Sequence, residues 1–265
     1  METIKVKNVI IGEGMPKICV PLVPEKLEQL SAEAAMARES GCDIVEWRLD
    51  RLRKWTDKFF GTKREAAIEE INAGLELIRQ ETQAPIILTL RSADEGGFAE
   101  LRRRDYYSVI RDIIDECDPD IIDIEGIDQE NEDWFDMVEF ITNMAHENDI
   151  VVILSNHDFD KTPPMEEIVK RLCVMAEMGA DIPKVAYMPR KHEDVDTVIH
   201  AAAVASEYFD KPFIALSMSK EGLPSRICSG QSGTAITFAA ASGKSAPGQV
   251  RVSEMQELLR RFYDR

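Results

Sequence analysis

Short apolar runs rich in Val and Ile alternate along the chain with longer segments whose apolar positions recur every three or four residues. A parallel sheet covered by helices requires this pattern. Eight such rounds occur, with strands predicted at 17–23, 43–49, 85–90, 120–125, 150–154, 182–187, 212–216 and 234–238. The intervening helices each carry one apolar wall. In 63–81, Ala67, Ile71, Leu75 and Ile78 share a stripe while Glu65, Glu69 and Arg79 face elsewhere. Segment 106–117 presents Ile110, Ile113, Ile114 and Cys117 in the same way, and 253–263 closes the chain with Met255, Leu258, Leu259 and Phe262. Ser-Gly-Cys-Asp before the second strand and Met-Gly-Ala-Asp before the sixth form a weak internal repeat, with Gly41 and Gly179 placed for a left-handed helix cap. Eight units without a Gly-rich first turn favour an α/β fold closed as a (β/α)8 TIM barrel over a doubly wound open sheet. Residues 1–16 fall outside the repeat. Positions 3–11 alternate and then meet Gly12-Glu13-Gly14, a hairpin signal, and the predicted role is to cap the N-terminal mouth of the barrel. No linker divides the chain, so one domain over 1–265 is expected.

In a closed barrel alternate strand residues point inward, and the C-terminal strand ends face the site. In the second strand Glu46, Arg48 and Asp50 share one parity, and Val45, Trp47 and Leu49 the other. The apolar face packs on helices, so the charged face must look inward, where unpaired charge is costly. It is either a structural ion-pair layer or a functional site. The third strand ends in Thr89-Leu90-Arg91-Ser92 with Glu95 following, the fourth carries Asp123 and Glu125, and the fifth ends in Ser155-Asn156-His157-Asp158. The sixth places Lys184 on the parity of Ala186 and Met188. Burial beside arginines would favour the neutral amine, which can attack a ketone. His146, His192 and His200 lie in helical segments, whereas His157 lies just past an apolar strand. An imidazole titrating near neutrality suits repeated proton transfer. The last loops add Arg226 and then Ser245-Ala246-Pro247-Gly248-Gln249, which with Gly243 reads as a hinged lid or as an ordinary loop. Gly243-Lys244-Ser245 is no P-loop, because the first glycine of that motif would fall at Phe238.

Charge and composition narrow the partners. Forty-nine Asp and Glu against 32 Lys and Arg give a formal net charge of −17, which repels nucleic acid and anionic membrane surfaces. A small molecule is the expected partner, and an anionic one is admissible where arginines reverse the potential inside a cleft. The five cysteines are scattered, odd in number and without CxxC spacing, so they read as reduced thiols. The first residues lack a signal-peptide core, and no run of about 18 apolar residues occurs. The cytoplasm is therefore expected.

Seven separated motifs carry a resemblance. They are Gly14-Met15-Pro16-Lys17, Glu46-Trp47-Arg48-Leu49-Asp50, Thr89-Leu90-Arg91 with Glu95-Gly96-Gly97, Ser155-Asn156-His157-Asp158-Phe159, Ile182-Pro183-Lys184-Val185-Ala186-Tyr187-Met188-Pro189, Ser217-Met218-Ser219 with Ser225-Arg226, and Ser245-Ala246-Pro247-Gly248-Gln249. In this order, over nearly the whole length, the chain resembles the type I 3-dehydroquinate dehydratases of the shikimate pathway. The resemblance implies dehydration of 3-dehydroquinate through a Schiff base on Lys184, with His157 as general base and acid and Glu95 orienting it. It implies that Glu46, Arg48 and Arg91 hold the ring hydroxyls and that Arg226, Ser245 and Gln249 bind the carboxylate. It also implies no metal or other cofactor and a homodimer. Two stretches depart from the family pattern: Pro21 stands where some relatives have a small polar residue, and 228–233 is more polar, which predicts a short or irregular helix between Arg226 and the last strand. Three other functions compete. A Schiff-base aldolase would need a phosphate cradle after strands seven and eight. A metal-dependent barrel would use Glu46, Asp123, Glu125 and His157 as ligands. A metabolite- or protein-binding barrel would keep its charged interior for structure alone.

Overall fold

The computed structural model describes residues 2–52, 55–60, 63–128, 133–241 and 248–263. Eight parallel strands form the barrel: β3 (Lys17–Leu22), β4 (Ile44–Arg48), β5 (Ile86–Thr89), β6 (Ile121–Glu125), β7 (Val151–Asp158), β8 (Ile182–Tyr187), β9 (Ile214–Ser217) and β10 (Ile236–Phe238). The hydrogen-bonded order is β10-β3-β4-β5-β6-β7-β8-β9. A parallel bridge between Phe213 and Thr234 brings the two outer strands together and nearly closes the ring. Helices α1 (Leu30–Ser40), α2 (Trp55–Phe60), α3 (Arg64–Glu81), α4 (Arg103–Glu116), α5 (Trp134–Glu147), α6 (Met165–Glu177), α7 (His192–Ala205), α8 (Leu223–Cys228) and α9 (Val252–Tyr263) lie between and after the strands. Among the described residues no helix is long and apolar enough to cross a membrane.

The two-residue side-chain period sorts the barrel as the sequence predicts. Val45, Trp47 and Leu49 join the core between sheet and helices. Gly74 of α3 makes that packing close, since a Cβ there would stand 2.1 Å from the Trp47 ring. On the opposite parity Ile44, Ile87, Ile121, Ile153, Ile182, Ile214 and Ile236 form an apolar floor inside the barrel. Two residues further along their strands stand Glu46, Thr89, Asp123, Ser155 and Lys184, and two further again Arg48, Arg91, Glu125, His157 and Ala186. The interior thus passes from isoleucine to charge along one direction.

The floor is sealed by a hairpin of β1 (Ile4–Val6) and β2 (Val9–Ile11), whose Val6 and Ile11 pack onto the isoleucine layer. Its turn differs from the predicted one. The chain reverses at Lys7-Asn8, with Lys7 at φ 51°, while Gly12 and Gly14 use positive φ to lead into β3. Lys7 Nζ pins the turn to Asp120 at 2.7 Å. The weak repeat has a structural counterpart. Gly41 and Gly179 take φ of 73° and 91°, and the aspartates two residues on accept backbone N–H groups of the preceding strands, Asp43 from Ile18 and Asp181 from Val152, both at 2.8 Å. Asp120 does the same for Ile86. Each bond contributes about 0.5–1.5 kcal/mol and fixes strand register.

Strand β7 extends to Asp158, four residues past its predicted end at 154. Ser155 to Asp158 remain paired with Lys184 to Tyr187 of β8. An apolar-run criterion stops at the first polar residue, and here the polar residues are still in the sheet. Helix α8 has six residues and is followed by a single 3-10 turn, Ser229–Ser232, in keeping with the polar stretch at 228–233.

Candidate active site

The C-terminal strand ends enclose a cavity of about 570 Å³, counted to its open mouth. Glu46, Arg48, Arg91, Glu95, His157, Lys184, Arg226 and Gln249 all line it, drawn from strands β4, β7 and β8, from the segment just past β5, and from the loop and helix further on. Every predicted site residue is therefore at one place except Ser245, which with the rest of 242–247 lies outside the described residues. Phe159, Ala186, Leu216, Met218 and Phe238 supply the apolar wall. A polar ring on an apolar backing suits a small, hydroxylated, anionic molecule.

Lys184 lies at the bottom, only 4% exposed. The arginines expected in this interior are present, but the nearest charged partner of the amine is acidic. The group nearest to Nζ is the Asp123 carboxylate at 2.6 Å, with Glu46 Oε1 at 3.9 Å and the Phe238 ring centroid at 4.9 Å. Asp123 also accepts from Ser155 Oγ at 2.6 Å and lies 3.4 Å from Arg91 Nη2. Burial alone would lift its carboxyl, but Lys184 and Arg91 beside it and the bonds from Lys184 and Ser155 hold it below the usual carboxylate range.

His157 is fixed from behind by Glu95. Glu95 Oε2 meets His157 Nδ1 at 2.9 Å and the His157 backbone N at 3.0 Å, while Oε1 accepts from Asn156 Nδ2 at 3.3 Å. Arg91 Nη1 also lies against Nδ1. With Nδ1 engaged, Nε2 is the nitrogen left for a reacting proton. Burial, then the charges of Arg91, Lys184 and Arg48, press the imidazole well below its ordinary value, so it rests neutral. Burial and then Glu125 push the Glu95 carboxyl well above its ordinary value against the pull of Arg91 and Arg103, whereas the donors of His157 and Asn156 on both of its oxygens favour the charged form. The donors facing both of its oxygens suit it as an acceptor. The turn carrying it, Ala93–Glu95, is secured by Gly97, whose N–H donates to Ser92 O at 2.7 Å and whose absent Cβ would fall 2.1 Å from Arg91 O.

Three arginines line the cavity, each in a different setting. Arg91 is enclosed by Asp123, Glu95 at 3.6 Å and Glu125 at 3.9 Å, and these carboxylates outweigh burial and hold it firmly cationic. Arg48 forms two 2.8 Å bonds to Asp50, which also accepts the backbone N of Phe98 and so ties β4 to the loop after Glu95. Arg226, from α8, is buried, and burial lowers its guanidinium to about 10, still cationic at neutral pH. Among the described residues no group of three or more His, Cys, Asp and Glu is arranged to hold a metal ion. The carboxylates named for such a site, Glu46, Asp123 and Glu125, lie against Lys184, Arg91 and Arg103. Sequence reading placed Asp123 in the interior but missed its pairing with Lys184. It missed Asn156 behind Glu95 and Asp50 behind Arg48 as well.

Comparison with known proteins converges on the same group. A family model described as type I 3-dehydroquinase matches residues 18–264. The 3-dehydroquinate dehydratase of Listeria welshimeri is 40% identical over 259 residues, 98% of this chain and 97% of the relative. That of Salmonella agona is 40% identical over 260 residues, 98% of each chain. The crystal structure of the type I 3-dehydroquinate dehydratase of Clostridium difficile with covalently modified comenic acid matches with a TM-score of 0.85 at 36% identity, covering 99% of this chain and 98% of that one. The enzyme of Geobacillus kaustophilus matches with a TM-score of 0.86 at 30% identity, covering 100% and 98%. The chain belongs to the type I 3-dehydroquinase family of hydro-lyases.

Proposed function

We propose that this chain converts 3-dehydroquinate to 3-dehydroshikimate through an iminium on Lys184, with His157 moving the protons. The observation that carries the reading is a buried primary amine on the cavity floor sharing that cavity with a neutral imidazole. In the first step Lys184 gives up one proton, its freed amine adds to the substrate ketone, and that proton leaves with the ketone oxygen as water, so an iminium with a single positive charge results. The iminium withdraws electrons from the adjacent carbon. His157 Nε2 takes a proton from that carbon, leaving an enamine and an imidazolium. The enamine expels the hydroxyl one carbon further on, and the imidazolium returns its proton so that water departs. A second water hydrolyses the conjugated iminium and frees product and lysine. The balance is the loss of one water. General acid–base catalysis of this kind is worth about 10²–10⁴-fold, and it requires the base to start unprotonated.

Binding follows from the same walls. Arg226 presents a planar cation to the substrate carboxylate, a match that permits two parallel hydrogen bonds. Gln249, which lines the same cavity, joins it, and Ser245, outside the described residues, is the further contact that the family resemblance implies. Glu46, Arg48 and Arg91 hold the ring hydroxyls, with Arg48 aimed by Asp50 and Arg91 by its carboxylates. No metal or other cofactor takes part. The acidic balance and the scattered thiols support a cytoplasmic setting in the shikimate pathway, and a homodimer would give a solution mass near twice that of one chain. The test is turnover by Lys184→Ala, followed by the absorbance of the conjugated enone-carboxylate product. Loss of turnover with substrate still bound is expected. Unchanged turnover would overturn the reading.

A further inference from the structure

The Schiff-base reading gives the buried carboxylate beside Lys184 no part in the chemistry. Asp123, 1% exposed, touches the reacting nitrogen at 2.6 Å, nearer than any other charged group that contacts it. We infer that Asp123 is a catalytic residue, the fixed counter-ion of Lys184 through the reaction, neutralising the ammonium at rest and the iminium once the substrate is attached. The inference rests on the proposed Lys184 chemistry and adds a partner to it.

Charge balance motivates it. Ammonium plus ketone gives iminium plus water, so nitrogen carries one positive charge before and after, and no proton leaves for solvent. A single carboxylate held at Nζ therefore serves both forms without reorganising, which is the condition under which buried electrostatics lowers a barrier most. Without it, a cation would be left in the barrel interior, the costly case for a buried pair.

Asp123 is built for a fixed charge. It stands on β6 with its neighbours supplied by three other segments: Lys184 from β8, Arg91 from just past the end of β5 at 3.4 Å and Ser155 from β7 at 2.6 Å. Glu46 of β4 lies further from Lys184, at 3.9 Å, and the same oxygen accepts from Thr89 Oγ1 at 2.9 Å. Glu125, on Asp123's own strand, and Glu95 bind the same arginine, Arg91, at 3.9 and 3.6 Å. Arg91 and Ser155 thus leave Asp123 no freedom to turn away when the ammonium becomes an iminium, and its depressed carboxyl keeps the charge.

The experiment is Asp123→Asn in the full chain, with folding checked by circular dichroism and thermal melting. Turnover is measured, together with the fraction of Lys184 recovered as reduced secondary amine when borohydride is added at saturating 3-dehydroquinate. The expected result is kcat lower by about 100-fold or more, KM within about threefold, and a trapped fraction clearly below that of the parent. A role confined to packing would not deplete the trapped iminium. A folded Asp123→Asn protein with kcat and trapped fraction within about threefold of the parent would overturn the assignment. Should Asp123→Asn fail to fold, Ser155→Ala decides. It removes one bond to Asp123 and no charge, so kcat should fall by about 5–10-fold with KM unchanged, and an unaffected kcat would refute the counter-ion. Absence of any Lys184 adduct in the parent would instead sink the Schiff-base reading itself, which separates the two failures.

Discussion

Replacing Glu95 by Gln isolates the charge behind His157 from its geometry. In the parent, one carboxylate oxygen meets both Nδ1 and the backbone N–H of His157, at 2.9 and 3.0 Å. The Gln carbonyl can occupy that position and accept from the same two groups. Its amide nitrogen then faces the donor Nδ2 of Asn156, so one bond of 3.3 Å is lost. What disappears is the negative charge opposite the imidazolium that forms when the substrate carbon is deprotonated. A hydrogen bond to a charged group contributes about 1.5–3 kcal/mol, and about 1.4 kcal/mol is a factor of ten in rate. The expected loss in kcat is therefore roughly 10–150-fold, with KM within about threefold. Steady-state rates from product absorbance, alongside borohydride trapping, give the answer. The Lys184 adduct should persist, because the slowed step follows iminium formation. A folded Glu95→Gln enzyme with kcat within about twofold of the parent, or a loss confined to KM, would refute the orienting and charge-balancing role.

Three further outcomes are expected. His157 lies well below 6.5, so it is unprotonated at neutral pH and gains a proton only well into the acid range; kcat/KM should be level through neutral pH and fall on the acid side, and an acid limb centred at or above 6.5 would contradict this. The same shift makes the folded protein bind fewer protons than the unfolded chain, so its contribution to stability erodes as pH drops below 6.5. Arg226→Lys should raise KM by about 10–100-fold through loss of the two-point carboxylate contact, and in the parent substrate affinity should weaken as pH climbs past about 10, where the guanidinium loses its charge. Gly97→Ala sets a Cβ 2.1 Å from Arg91 O; overpacking against backbone costs about 1–3 kcal/mol, so the melting temperature and kcat should fall together, and a protein unchanged in both would show that the turn bearing Glu95 can yield.

The fold was legible because a barrel strand writes its two faces in alternate residues. Glu46, Arg48, Val45 and Trp47 reveal by parity alone which side faces inward, and the Ile44 and Lys184 layers follow from the same count. Partners across the barrel were not legible. Which inward carboxylate meets Lys184 depends on the stagger of β4, β6 and β8, a relation among distant segments that no local window encodes. Asp123 and Glu46 both lie on the inner parity, yet one is at 2.6 Å and the other at 3.9 Å. The same limit explains Asn156. It sits on the outer parity of β7, where its Oδ1 accepts from Arg171 and Tyr187, and this aims its amide nitrogen at Glu95. The hairpin turn was misplaced because Gly12 and Gly14 signal positive φ more strongly than Lys7-Asn8 does, although glycine at positive φ serves a connecting bend as well as a hairpin.

The central claim is that the Lys184 nitrogen becomes covalently bound to substrate during turnover. Borohydride added to enzyme turning over 3-dehydroquinate, followed by proteolysis and mass mapping, addresses it directly. The expected result is a reduced adduct on the peptide carrying Lys184 and irreversible loss of activity, neither occurring without substrate. Dehydration that continues through hydride treatment, with Lys184 recovered unmodified, would contradict it.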